Sequence, residues 1–138
     1  MIWGVSAALS REDRPYDDRR VVAIALMEVQ PRDIQRYVKS DGQIPFDEWF
    51  YALRDSQAKL KINVRLKRVS TGNFGDYRPV GEGVLELKIN SGPGYRVYFG
   101  QVETTIVLLL CGGDKSTQDE DIRKAKKYWI KYRSQDNG

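Results

Sequence analysis

Residues 83–118, GVLELKINSGPGYRVYFGQVETTIVLLLCGGDKSTQ, constrain the fold more than any other stretch, because they read as three successive strands of an antiparallel meander. At period two, Leu85, Leu87 and Ile89 fall on one side of the first run, and Val84, Glu86 and Lys88 on the other. In the next run Tyr95, Val97 and Phe99 alternate with Arg96 and Tyr98, so the polar set lines up across the hairpin with Glu86 and Lys88. The pattern predicts one packed face and one wet, charged face. The third run, 106–110, is apolar at every position, as in a strand covered on both sides. It is expected to empty into a loop, 111–118, beside the charged face. Gly92-Pro93-Gly94 reads as a tight turn and matches no nucleotide-binding glycine loop.

Upstream of the meander, a first strand is expected at roughly 28–35, followed by a turn at Asp41-Gly42. Pro45, with Asp47 and Glu48 close behind it, opens a helix whose buried stripe is Phe46, Trp49, Phe50 and Leu53. A second helix runs from Ser56 to about Val69, with Ala58, Ile62, Leu66 and Val69 at helical spacing and Lys59, Lys61, Arg65, Lys67 and Arg68 on its other faces. Residues 77–82 are expected to form a loop. From about Asp119 a last helix carries Ile122, Ala125, Trp129 and Tyr132 on one stripe. The order implies an α+β fold, a small and mainly antiparallel sheet with a two-helix hairpin packed on its apolar face and a C-terminal helix. Residues 10–20 are nearly all polar and read as a disordered lead. Residues 1–26 are then either translation upstream of a true start at Met27, or an extension in which 21–26 lengthens the first strand.

The chain holds 138 residues, enough for one domain with a real core at 27–138. Its longest apolar run, 104–111, is far short of the ~20 residues that span a bilayer, so a cytoplasmic protein is the default expectation. With no histidine and a single cysteine, Cys111, the chain has no histidine base, no Cys/His nucleophile pair and no structural zinc set. Metal ligands and cofactors are therefore not expected. The net charge of +4 lies beyond residue 26, since Arg11, Arg14, Arg19 and Arg20 cancel Glu12, Asp13, Asp17 and Asp18. A basic body of this kind suits polyanions or acidic proteins.

Five motifs in order, Phe46-Asp-Glu-Trp-Phe-x-x-Leu-Arg-Asp55, Gly72-Asn-Phe-Gly-Asp-Tyr77, Gly81-Glu-Gly-Val-Leu-Glu-Leu87, Gly92-Pro-Gly-Tyr-Arg-Val-Tyr-Phe-Gly100 and Leu110-Cys-Gly-Gly-Asp-Lys-x-x-Gln118, resemble the phage-derived addiction-module killer branch (HigB-like) of the RelE/ParE toxins. The resemblance covers residue 27 to about 133. It implies the toxin of a type II toxin–antitoxin module, held inactive by a cognate antitoxin, a small helix-turn-helix protein encoded beside it. RelE-like members cleave messenger RNA in the ribosomal decoding site, whereas ParE-like members on the same fold poison DNA gyrase; an inactive antitoxin-binding relic is a further alternative.

Metal-free RNA cleavage needs a positioned 2'-OH, neutralised phosphate charge and a proton for the leaving 5'-oxygen. The resemblance sets Arg96 on the family's phosphate-binding arginine, where its planar fork can hold two phosphate oxygens. It sets Lys88 on a lysine that assists deprotonation of the 2'-OH, and Lys115 near a loop arginine that meets leaving-group charge. Glu86, which replaces another family lysine, is an alternative base. The family's base-stacking tyrosine aligns with Asp121, which passes stacking to Tyr98, Tyr77 or an aromatic elsewhere. Lys59, Arg65, Lys67, Arg68, Arg78 and Gln118 complete the expected RNA-binding set, with the ribosome and messenger RNA as partners. The antitoxin would mask the basic face, or the last helix would be displaced to open the site. An exposed Arg96 could be truncated to alanine within about 0.5 kcal/mol of stability. An Arg96 sealed beneath helices, or locked onto an internal acid with no open surface nearby, would overturn the nuclease reading.

Overall fold

The computed structural model describes residues 31–137. The expectations for residues 1–26, and for the start of the first strand, lie outside them. Strand β1 (Asp33–Arg36) is followed by helices α1 (Pro45–Ala52) and α2 (Ser56–Ser70), strands β2 (Tyr77–Gly81), β3 (Val84–Ile89), β4 (Tyr95–Val102) and β5 (Ile106–Gly113), a 3-10 turn (Lys115–Thr117) and helix α3 (Gln118–Asn137). The strands form one sheet in the order β1-β5-β4-β3-β2. All neighbours pair antiparallel except β1, which runs parallel to β5 with Asp33 opposite Ile106.

Local chemistry explains the helix ends. Pro45 occupies the first turn of α1, where its missing N–H costs nothing, and Asp47 and Glu48 face the positive end of the helix. Asp55 caps α2 by accepting from Ala58 N at 3.1 Å. Gly72, at φ 93°, takes the left-handed turn that ends α2. Both stripes bury against the sheet: Phe46 and Phe50 of α1 and Ala58, Ile62 and Val69 of α2 share one core with Leu87, Ile89, Tyr95, Val97, Phe99, Val107 and Leu109.

The opposite side of the sheet corrects the sequence reading. It is covered, not wet: Ala125 and Trp129 of α3 form a second core with Val84, Tyr98, Leu108, Leu110 and Tyr37, so the sheet is the middle of three layers. Trp129 sits in a seat cut by glycines. A methyl on Gly100 would stand 2.4 Å from its ring, and one on Gly83 would stand 2.7 Å from its Nε1. Residues 77–81, expected as a loop, form edge strand β2, with Arg78 opposite Glu86. Pro79 hides this strand in sequence because it lacks a ladder donor, a defect that only an edge position or a bulge tolerates. Here a register shift lies between Pro79 and Gly81. Strand β5 also runs on through Cys111, Gly112 and Gly113 instead of opening into a loop.

Candidate functional site

Glu86 is the hub of the α3-covered face. Its side chain is 2% exposed, and its carboxylate accepts from Tyr98 Oη at 3.0 Å, from Gln118 Nε2 at 2.8 Å and from Arg78 Nε at 2.9 Å. Arg96 Nε stands 3.7 Å away. The alternation of β3 and β4 builds this cluster, because Glu86 is paired directly with Tyr98 and Lys88 with Arg96, all on the same face. Burial pushes the Glu86 carboxyl up, but the hydrogen bonds from Arg78, Gln118 and Tyr98 outweigh it and hold the group below its ordinary value. A carboxylate so engaged is a poor proton acceptor, so the structure removes Glu86 as a general base and makes it an anchor.

Arg96 is 7% exposed, which contradicts the expectation of an open sheet arginine. Its Nη1 donates to Gly94 O at 2.6 Å, and its Nε has no hydrogen-bond partner. Lys88 and Lys115 remain exposed nearby. Gly94, at φ 82°, lies between Arg96 and Lys115: a methyl there would lie 3.2 Å from Arg96 Nη1 and 3.9 Å from Lys115 Cβ.

The expected RNA-binding residues divide. Tyr98 is fully buried, and burial followed by the Glu86 charge drives its hydroxyl far above the usual tyrosine range, so it cannot stack on a base. Gln118 and Arg78 are spent on Glu86. Arg65 reaches the carbonyls of Lys88, Phe74 and Asp76, tying α2 to the start of β2 and the end of β3. Lys59 lies over the Phe50 ring at 5.9 Å. Lys67 and Arg68 are exposed on α2, in the layer opposite Arg96, so the cations do not form one continuous face. Tyr77, 47% exposed with its ring edge-on to Phe74 at 5.5 Å, is the stacking candidate left accessible.

Beside the Arg96 cluster, a cleft of about 400 Å³ opens where the end of β5 passes between α1 and α3. Trp49, Glu48, Asp114, Asp121, Lys124 and Tyr128 are among its lining residues. Its floor is glycine for a steric reason. A methyl on Gly112 would stand 2.2 Å from the Trp49 ring, and one on Gly113 would stand 1.7 Å from Asp121 Oδ2. Asp121 is 8% exposed and accepts from Thr117 Oγ1 at 2.5 Å. Burial raises its carboxyl above the ordinary value, against the lowering pull of Thr117 and Lys124. The sequence reading missed this cleft, although paired glycines inside a strand signal a close approach by other groups.

The raised Asp121 gives a signed prediction. A carboxyl whose folded pKa exceeds its unfolded value favours the folded state at low pH, and that contribution is lost as pH rises through the folded pKa. Asp121→Asn is therefore expected to raise stability at pH 7, with the gain shrinking as pH falls below the carboxyl's titration. Urea melts of both proteins between pH 4 and 8 check it; a pH-independent difference would contradict the assignment.

The fold and site together define a three-layer α+β protein with a buried arginine–glutamate cluster between sheet and covering helix. Over 83 residues the chain is 53% identical to an uncharacterized protein of Haemophilus influenzae, a match that covers 60% of this chain and 84% of that one. The chain belongs to the same family as that protein. No family model matches it.

Proposed function

We propose that the chain is the toxin of a type II toxin–antitoxin module, a RelE/ParE-like cytoplasmic protein that cleaves messenger RNA on the ribosome. The observation that carries this reading is that Arg96, paired across the hairpin with Lys88, approaches Lys115 at Gly94, at one end of the meander. Helices α1 and α2 on one side of the sheet and α3 on the other support the RelE/ParE-like architecture. The centre is closed in this arrangement. Arg96 is covered on the α3 side and faces Glu86 at 3.7 Å, which counts against cleavage in this closed form, while Lys88 and Lys115 stay exposed beside it. Cleavage requires α3 to move aside. Arg96 then takes the phosphate in transition, Lys88 assists loss of the 2'-OH proton to water as that oxygen bonds to phosphorus, and Lys115 meets charge on the 5'-oxygen, whose bond to phosphorus breaks and which leaves with a proton from water. The adjacently encoded antitoxin acts on the same equilibrium between closed and open centre.

Burial of Arg96 favours a second reading, a non-catalytic binder of the ParE type that poisons gyrase with α3 in place. Purified protein in cell-free translation, with transcript ends mapped, separates the two. Cleavage products are expected, reduced roughly 100-fold or more in Arg96→Lys, which keeps the charge and loses the fork. Lysine replaces the alanine variant here because truncating a buried arginine costs on the order of 1–3 kcal/mol, well beyond the cost expected of an exposed one. Intact transcripts alongside linearised plasmid would establish the gyrase reading instead.

A further inference from the structure

The outward face of α3 carries a second basic surface that neither the core nor the Arg96 cluster uses. Arg123, Lys127 and Lys131 recur every four residues, so they stand in one row about 6 Å apart along the helix axis. Lys126 and Ile130, the latter 55% exposed, lie beside the row. Together they border a depression of about 540 Å³ in which Glu82 is the single carboxylate among the lining residues. Among the described residues none of these four cations forms an ion pair, whereas neighbouring Lys124 pairs with Glu120 at 3.7 Å. Like charges one turn apart destabilise a helix by roughly 0.2–0.5 kcal/mol per pair, a cost that a bound polyanion removes.

We propose that this row binds the phosphodiester backbone of RNA. Three cations spread over about 12 Å face roughly three or four phosphates of one strand at about 3.4 Å per phosphate. An acidic protein fits less well, because protein interfaces deplete lysine and build on apolar anchors, and Ile130 is the lone large apolar side chain here. Nucleic-acid interfaces are polar and strongly positive. No aromatic ring lines the depression, so nothing there stacks on a base and the contact is independent of sequence. The inference stands apart from cleavage at Arg96, since α3 presents this face to solvent while its other face covers the sheet.

The test measures binding alone. A labelled RNA of about twenty nucleotides with 2'-O-methyl riboses, which no 2'-OH attack can cleave, is titrated with the full chain between 50 and 250 mM KCl. Combined Arg123→Gln, Lys127→Gln and Lys131→Gln is expected to weaken binding at least tenfold at the lowest salt. It should also flatten the slope of log K against log salt by about 2, near 0.7 for each lost phosphate contact. Combined Arg54→Gln and Lys61→Gln, two exposed cations on the other side of the sheet, should retain the wild-type slope. An unchanged slope in the α3 variant, loss confined to the control variant, or a polyglutamate peptide that binds more tightly than the RNA would each overturn the proposal. Circular dichroism verifies that both variants stay folded.

Discussion

Replacing Glu86 by alanine is expected to cost about 3–5 kcal/mol of unfolding free energy, because it leaves the buried Arg96 without its counter-charge. Tyr98 and Gln118 lose their acceptor in the same step. Arg78 adds little to the sum, since its side chain is 61% exposed and its ion pair is screened by water. The effect carries a pH signature. A carboxyl with a depressed folded pKa stabilises the fold above its unfolded pKa, and the contribution disappears as pH falls through the folded value. The gap between wild type and Glu86→Ala should therefore be full at pH 7 and narrow on the acid side of the ordinary carboxylate range. Urea denaturation at a series of pH values measures it. A loss below about 1 kcal/mol at pH 7 would mean that water reaches Arg96 and that the closed centre is not closed.

Trp129→Ala should produce a loss of similar size, about 3–5 kcal/mol, through a different mechanism. The indole is 6% exposed, fills the seat made by Gly83 and Gly100, and stacks on Tyr132 with centroids 5.9 Å apart. Removing it leaves a cavity that neither glycine can fill. Because Trp129 anchors α3, the damage should be local first. Amide exchange is expected to accelerate along α3 before it does in α1 and α2, whose side chains belong to the other core. Uniform acceleration across both layers would show that the two cores unfold as one unit.

Much of this architecture was readable from periodicity. The apolar stripes of α1, α2 and α3, and the alternation in β3 and β4, all report which atoms avoid water, and the structure buries them accordingly. The run 106–110 was read as covered on both sides, and its residues alternate between the two cores. Polar alternation misled for the same reason that it is informative. Glu86 and Arg96 have the pattern of a solvated face, and one sequence cannot tell charges that meet water from charges that meet each other beneath a helix. Tertiary packing decides that, and here α3 does. The parallel pairing of β1 with β5 was likewise invisible, because no local signal records a partner about 70 residues away. Of the candidate site, the placing of Arg96 and Lys88 on one face near the turn at Gly94 followed from alternation, whereas Lys115 came from the resemblance alone. The cleft beside them depends on what Gly112 and Gly113 leave room for.

The place of α3 after β5 in the chain has a consequence for the newborn protein. Synthesis proceeds at about 5–20 residues per second, so strands β3 to β5 emerge before the segment that roofs them. Until α3 docks, Glu86, Arg96 and Tyr98 lack the layer that buries them in the finished fold, so closing the centre is the last step of assembly that the chain order allows.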